Sequence, residues 1–315
     1  MSNLSRREFI RTSSLTILAA SIAACAKKGE PGPPTGSGTP TGAAGSLDEV
    51  IGGRTQTLTY ISVGTELLSG TSERLAFGIV DSAAQELVRD ATGRVWFAAT
   101  REAEAEGPFE ITFHGEGLPQ DRGFFAADVT FPADGQFLVL AEIDRGNGLE
   151  IAAGNVQVGR RNGMPIAGED APTTPTPTKD DARGVDPICT AEPPCGMHAR
   201  SLKDVLDAGD KAIVMIATPA YCTSRLCGPE VEILDQLRSD ASGDGIAFIH
   251  IELLANDEPD TVKLTSPLSP AAIAFETTEE PAFYAIGSDG VITERILGPG
   301  DVATFRDALV RLQEV

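Results

Sequence analysis

The chain has 315 residues, with 46 acidic against 25 basic side chains and a net charge of −21. That balance argues against binding to nucleic acid, and against docking on anionic lipid through basic patches. The length admits more than one core, and the five cysteines are the residues that narrow function most.

In chain order, Arg6, Arg7 and Arg11 precede an uncharged, mostly apolar stretch from Thr12 to Ala24 that ends at Cys25. A basic start, a short apolar run and small residues before a cut site are the parts of a secretory signal. The run is too short to span a bilayer, which takes about 20 residues. Ser5-Arg6-Arg7-Glu8-Phe9 resembles the twin-arginine signal, read by a translocase that carries folded cargo. Ile22-Ala23-Ala24-Cys25 resembles a bacterial lipobox, with isoleucine where leucine is commoner. On that resemblance residues 1–24 are removed and Cys25 carries lipid, which places the protein outside the cytoplasm as a membrane-anchored lipoprotein of the cell envelope. Stable anchoring needs two or more acyl chains. An ordinary cleaved signal with an incidental cysteine is the alternative.

Residues 25–53, rich in Gly, Pro, Thr and Ser, have the composition of a flexible tether. Residues 54–160 read as all-β: Arg74–Val80, Arg94–Ala98, Phe109–Phe113, Phe124–Phe131, Gln136–Glu142 and Leu149–Val158 are short runs. Turn residues such as Pro132-Ala-Asp-Gly135 separate the later ones, and the spacing suggests a β-sandwich. The block resembles the small immunoglobulin-like domains of envelope proteins. His114, its one histidine, is expected to be a satisfied or surface residue. Residues 161–184, with Pro172-Thr-Thr-Pro-Thr-Pro-Thr178, have the composition of an extended linker.

Residues 185–315 alternate helix and strand patterns. Ser201 is the expected N-cap of a helix through Ala208, with Asp204 at the capping-box position. Lys211–Ala217 and Ile246–Ile251 are apolar runs of buried-strand type. Pro281–Ile286 and Val291–Leu297 flank the hairpin signal Gly287-Ser-Asp-Gly290. A last helix follows Asp301, with Phe305, Leu309 and Leu312 on one face. This order resembles the thioredoxin fold. The expected class is therefore multi-domain: an N-terminal all-β immunoglobulin-like sandwich plus a C-terminal α/β thioredoxin-like domain.

Four further cysteines, Cys189, Cys195, Cys222 and Cys227, are expected to pair in an oxidising compartment. Cys222-Thr-Ser-Arg-Leu-Cys227 lies where a buried strand enters a helix, the junction at which the thioredoxin family keeps its redox pair. The family has two residues between its cysteines; here there are four. The resemblance implies that Cys222 attacks, that Cys227 resolves, and that Pro281, after Glu280, is the cis-proline that faces them. Residues five apart on a regular helix have Cα atoms about 8.7 Å apart, too far for a disulfide. Residues 223–226 therefore cannot be plain helix while the pair is oxidised. For Cys189 and Cys195 a structural disulfide is expected. A relay pair serving Cys222, or a metal site with His198, stays open, although Cys-x5-Cys-x2-His lacks a common zinc spacing. His250 is expected to pack in or against the sheet.

The leading function is thiol–disulfide exchange with disulfide-bearing proteins or a redox partner protein. It needs no cofactor and no metal, contacts the membrane through the lipid anchor, and does not involve nucleic acid. Two alternatives stand beside it. Thr218-Pro-Ala-Tyr-Cys-Thr-Ser-Arg-Leu-Cys resembles two-cysteine peroxiredoxins, but Glu280 stands where that family has an arginine. Sco-type copper chaperones pair two cysteines with a distal histidine, here His250.

Overall fold

The computed structural model describes residues 45–64, 66–146, 148–159, 161–241, 245–255 and 266–315. The twin-arginine segment, Cys25 and most of the expected tether lie outside these residues. All of the described residues belong to one compact unit, Gly36–Val315.

A short helix, α1 (Leu47–Ile51), opens the described chain, capped by a reciprocal Ser46–Glu49 box. Seven strands follow: β1 (Leu58–Ser62), β2 (Ser72–Asp81), β3 (Thr92–Ala98), β4 (Glu106–His114), β5 (Phe124–Thr130), β6 (Gly135–Asp144) and β7 (Leu149–Val158). They pair antiparallel in the order β1-β2-β5-β4-β3-β6-β7. The fourth strand belongs to two layers: Glu106–Ile111 pairs with β3, and Thr112–His114 pairs with β5. A bulge interrupts the β3–β4 register where Gly107 meets Val95–Phe97. Gly107 has φ +130°, and a Cβ there would come within 2.8 Å of the Val95 carbonyl oxygen, so no other residue fits. Leu67 bridges Val158 and Ser69 bridges Phe131, which brings the two ends of the sheet toward closure. Between the layers Phe97 packs on Phe131 at 4.4 Å and on Phe109 and Phe137 at 5.7 and 5.8 Å. This first half is built of strands, as expected of it, apart from the short α1.

The remaining elements are α2 (Leu202–Asp207), β8 (Lys211–Ala217), α3 (Cys227–Asp240), β9 (Ile246–Glu252), α4 (Pro270–Ala274), β10 (Ala282–Ile286), β11 (Ile292–Leu297) and α5 (Val302–Gln313). The sheet runs β11-β10-β8-β9, with only β8 and β9 parallel. Both of its faces are covered, so β8 reads as a continuous apolar run. Ile213, Met215 and Ala217 face α3 and α5, while Ala212, Val214 and Ile216 join Leu202, Val205, Phe275 and Tyr284 on the other side.

The expected fold class is corrected here. The described chain is mostly β, a nearly closed seven-stranded sheet beside a four-stranded one, and α2 and α4 are little more than one turn each. A sandwich followed by a separate α/β thioredoxin-like domain is not what forms. The physical reason is a shared core: Ala76, Leu118, Phe124 and Ala126 from the first half pack in one cluster with Val231, Leu234, Phe305 and Leu309. Arg74 reinforces the seam, donating to the Pro299 carbonyl at 2.6 Å and lying over the Phe124 ring.

The Pro/Thr-rich segment has no regular secondary structure, and it is packed. Thr176 is fully buried; its amide donates to Ser201 Oγ and its hydroxyl accepts from the Leu202 amide, both at 2.9 Å. Ser201 is the N-cap residue of α2, but its side chain makes no capping bond to the helix. Thr176 takes over that role from outside the helix, which replaces the expected Ser201–Asp204 box.

Candidate functional site

Strand β8 ends at Ala217, and the chain turns at once: the amides of Tyr221 and Cys222 both donate to the Thr218 carbonyl, at 3.1 and 3.0 Å. A second turn, Arg225 N to the Cys222 carbonyl at 3.2 Å, brings the chain back to the start of α3. Cys222 and Cys227 are joined by a disulfide, with Cα atoms 6.0 Å apart. Residues 223–226 are non-helical, as the Cα geometry of a disulfide demands. Arg225, between the cysteines, has φ +61°, a conformation that a side chain other than glycine's adopts at some cost.

The two sulfurs differ in setting. Cys222 retains 8 % exposure and Cys227 none, so an incoming sulfur meets Cys222 first. Neither disulfide sulfur carries a proton, so the Ser224 hydroxyl, 3.1 Å from Cys222 Sγ, is the donor of that contact. Cys227 is the first residue of α3, where the helix dipole stabilises a thiolate by about 0.3–1 kcal/mol. Pro229 sits in the same first turn, where its missing N–H is no loss. Glu230, also in that turn, is fully buried and accepts from the Gly300 amide at 3.1 Å. Burial raises its carboxyl well above the usual range. That burial disfavours a charge on Glu230, which weakens its opposition to a thiolate on Cys227.

Glu280 completes this group. The Glu280–Pro281 peptide is cis and leads directly into β10. The Glu280 carboxylate takes a 2.6 Å hydrogen bond from the Thr218 amide. One of its oxygens and both sulfurs lie within 4.8 Å of one another. Burial, with the nearby Glu252 adding to it, pushes its pKa to about 7 although the Thr218 amide pulls it down. From the sequence Glu280 stands out only as the residue before Pro281 and as an acid where the peroxiredoxins have an arginine. Its proximity to the sulfurs and its shifted pKa depend on a turn and a strand far apart in the chain.

Cys189 and Cys195 do not form the expected disulfide. Both are free and buried, with Sγ atoms 3.7 Å apart, and two histidines gather around them. His250, fully buried on β9, has Nδ1 3.5 Å from Cys195 Sγ. Its Nε2 lies 3.2 Å from the Ala217 carbonyl, so Nε2 carries the proton and the Nδ1 lone pair points at the sulfurs. His198 is 1 % exposed, and neither of its ring nitrogens has a hydrogen-bond partner. One ligand atom from each of these four residues lies within 4.8 Å of the other three. His250 thus belongs with Cys195 and not with Cys222.

The two groups are adjacent through the backbone. Thr190 Oγ1 accepts from the Ala220 amide at 3.2 Å, and Glu252 Oε2 accepts from both the amide and the hydroxyl of Thr190. His114 lies elsewhere, paired with Asp301. A cleft of ≈ 560 Å³ along β2 and β11 includes no residue of the Cys222 loop.

No family model matches the chain, and no curated protein matches it. Two solved structures of the CARDB domain of the PF1109 protein from Pyrococcus furiosus align with a part of it. The solution structure is 16 % identical and covers 33 % of this chain and 94 % of its own, with a TM-score of 0.19. The crystal structure, in complex with di-metal ions, is 14 % identical and covers 34 % and 100 %, also with a TM-score of 0.19.

Proposed function

We propose that the protein is a thiol–disulfide oxidoreductase that uses Cys222 as the attacking sulfur and Cys227 as the resolving one. In the oxidised state a substrate thiolate attacks Cys222 Sγ, and the Cys222–Cys227 bond breaks with its electron pair on Cys227. A second substrate thiolate then releases Cys222, so the substrate leaves as a disulfide and the protein as a dithiol. The reverse sequence reduces a substrate disulfide, and the potentials of the partners set the direction. The observation that carries this reading is Glu280, a proton carrier with a pKa of about 7 beside both sulfurs. A purely structural disulfide gains nothing from a carboxyl that titrates at working pH beside its sulfurs.

The sequence signals at the N-terminus support a reading in which this chemistry runs outside the cytoplasm, with Cys25 lipidated and the substrate a protein or redox partner at the envelope. Among the described residues no helix is long and apolar enough to cross a membrane.

The role of Glu280 has a pH signature. Below pH about 7 the carboxyl is neutral and can protonate the departing Cys227 thiolate. Above it, a carboxylate within 4.8 Å disfavours that thiolate; a like charge at such a distance shifts a pKa by one unit or more, or about tenfold in rate. The rate of reduction of the protein by a small thiol, corrected for that reagent's own thiolate fraction, is expected to fall about tenfold as pH rises through 7. Glu280→Gln keeps an acceptor for the Thr218 amide and should flatten the step. Stopped-flow rates from pH 5.5 to 8.5 check this, and an unchanged step in the variant would remove Glu280 from the mechanism.

A further inference from the structure

We infer that Cys189, Cys195, His198 and His250 form a tetrahedral site for a zinc ion, separate from the Cys222–Cys227 disulfide. With Zn–S near 2.3 Å and Zn–N near 2.05 Å, a tetrahedral ion sets its two sulfurs about 3.8 Å apart and sulfur from nitrogen about 3.6 Å apart. The observed separations are 3.7 Å for Cys189 Sγ to Cys195 Sγ and 3.5 Å for Cys195 Sγ to His250 Nδ1. A disulfide would bring the sulfurs to about 2.05 Å.

Three features besides these separations point the same way. His198 is buried with both ring nitrogens unpartnered, a state that costs free energy unless something in the interior takes a lone pair. His250 has its tautomer fixed by the Ala217 carbonyl, the outer-sphere bond that orients metal-bound imidazoles. The Cys195 amide donates to Cys189 Sγ at 3.4 Å, a contact that favours thiolate over thiol.

Two thiolates and two imidazoles suit zinc better than magnesium or calcium, which take oxygen ligands. Four protein ligands, all buried, leave no open position for substrate, so the ion is structural. It would fasten residues 189–198, which have little secondary structure of their own, to the free edge of β9, where the His250 amide already donates to the Met197 carbonyl at 3.0 Å. Binding displaces the two thiol protons and changes no oxidation state. The inference is independent of the exchange chemistry, because neither Cys222 nor Cys227 contributes a ligand.

The test uses the full chain purified under mild reductant with zinc supplied. Elemental analysis should find about one zinc per chain. Replacement by cobalt(II) should give the intense visible bands of a tetrahedral site with thiolate-to-metal charge transfer. His198→Ala, which breaks no hydrogen bond of the ring nitrogens, and Cys195→Ser should each weaken cobalt binding at least tenfold with the circular dichroism unchanged. The double variant Cys222→Ser, Cys227→Ser should bind as the parent does. Three results would overturn the site: no metal with the thiols reduced, cobalt binding that survives both single substitutions, or a Cys189–Cys195 disulfide mapped in the native protein without metal.

Discussion

Cys222→Ser is expected to bring disulfide exchange down to the uncatalysed background, whereas Cys227→Ser should still react once and then stall. The asymmetry follows from the geometry. Cys222 is the less buried of the two residues, and Cys227, fully buried at the first position of α3, cannot meet a protein substrate directly. Without Cys222 no mixed disulfide forms. Without Cys227 the mixed disulfide forms on Cys222 and the loop holds no second thiol to resolve it, so the adduct accumulates. Incubation with a model protein disulfide, followed by acid quenching and mass spectrometry of the intact protein, separates the two behaviours. Equal loss in both variants with no adduct in Cys227→Ser would contradict the assigned roles.

The largest expected effect on stability comes from a different place. Asp301 caps α5: its Oδ1 accepts from the Thr304 amide and hydroxyl at 2.9 and 2.7 Å. Its other oxygen accepts from the amides of Gly115 and Glu116 at 2.9 and 3.2 Å, and His114 Nδ1 lies 3.2 Å from Oδ1. One carboxylate thus ties the loop after β4 to the last helix. Asp301→Ala should cost about 3–5 kcal/mol, since it removes a cap and leaves charge-assisted donors unpaired in a buried place. Asp301→Asn should cost less, because an amide oxygen still serves one side.

These bonds set a pH dependence. Burial opposes ionisation of Asp301, but the contacts with His114 and Thr304 outweigh it and hold the carboxyl well below the usual carboxylate range. The stabilisation is therefore complete above the unfolded-state pKa of about 3.9 and is lost as pH falls toward the folded value. Urea unfolding should show the gap between the parent and Asp301→Asn narrowing from pH 7 to pH 3. A constant gap would mean that the charge of Asp301 does not matter.

Much of the strand layout was legible because turn residues bracket short apolar runs: Arg74–Val80 lies within β2, and Lys211–Ala217 is β8 itself. The architecture was not. Phe124-Phe125-Ala126-Ala127 is buried without alternation, the pattern of a strand covered on both faces. Read that way, it tells that the first sheet has a second neighbour, here α3 and α5. The class assigned from element order missed this because order does not report which faces meet. At the cysteines, local spacing brings out the Cys222 loop and the Cys189–His198 group, whereas Glu280 and His250 enter only through family resemblance, His250 beside the wrong cysteine pair. Those two reach their places only through the pairing of β8 with β10 and β9.

The measurement closest to the central claim is the reduction potential of Cys222–Cys227, titrated against glutathione with all four cysteines mapped at each point. A pair that exchanges with substrates is expected between about −120 and −270 mV, with the Cys222–Cys227 peptide alone following the titration. A potential well below about −300 mV, or a pair that stays oxidised throughout, would make the bond structural and contradict the account.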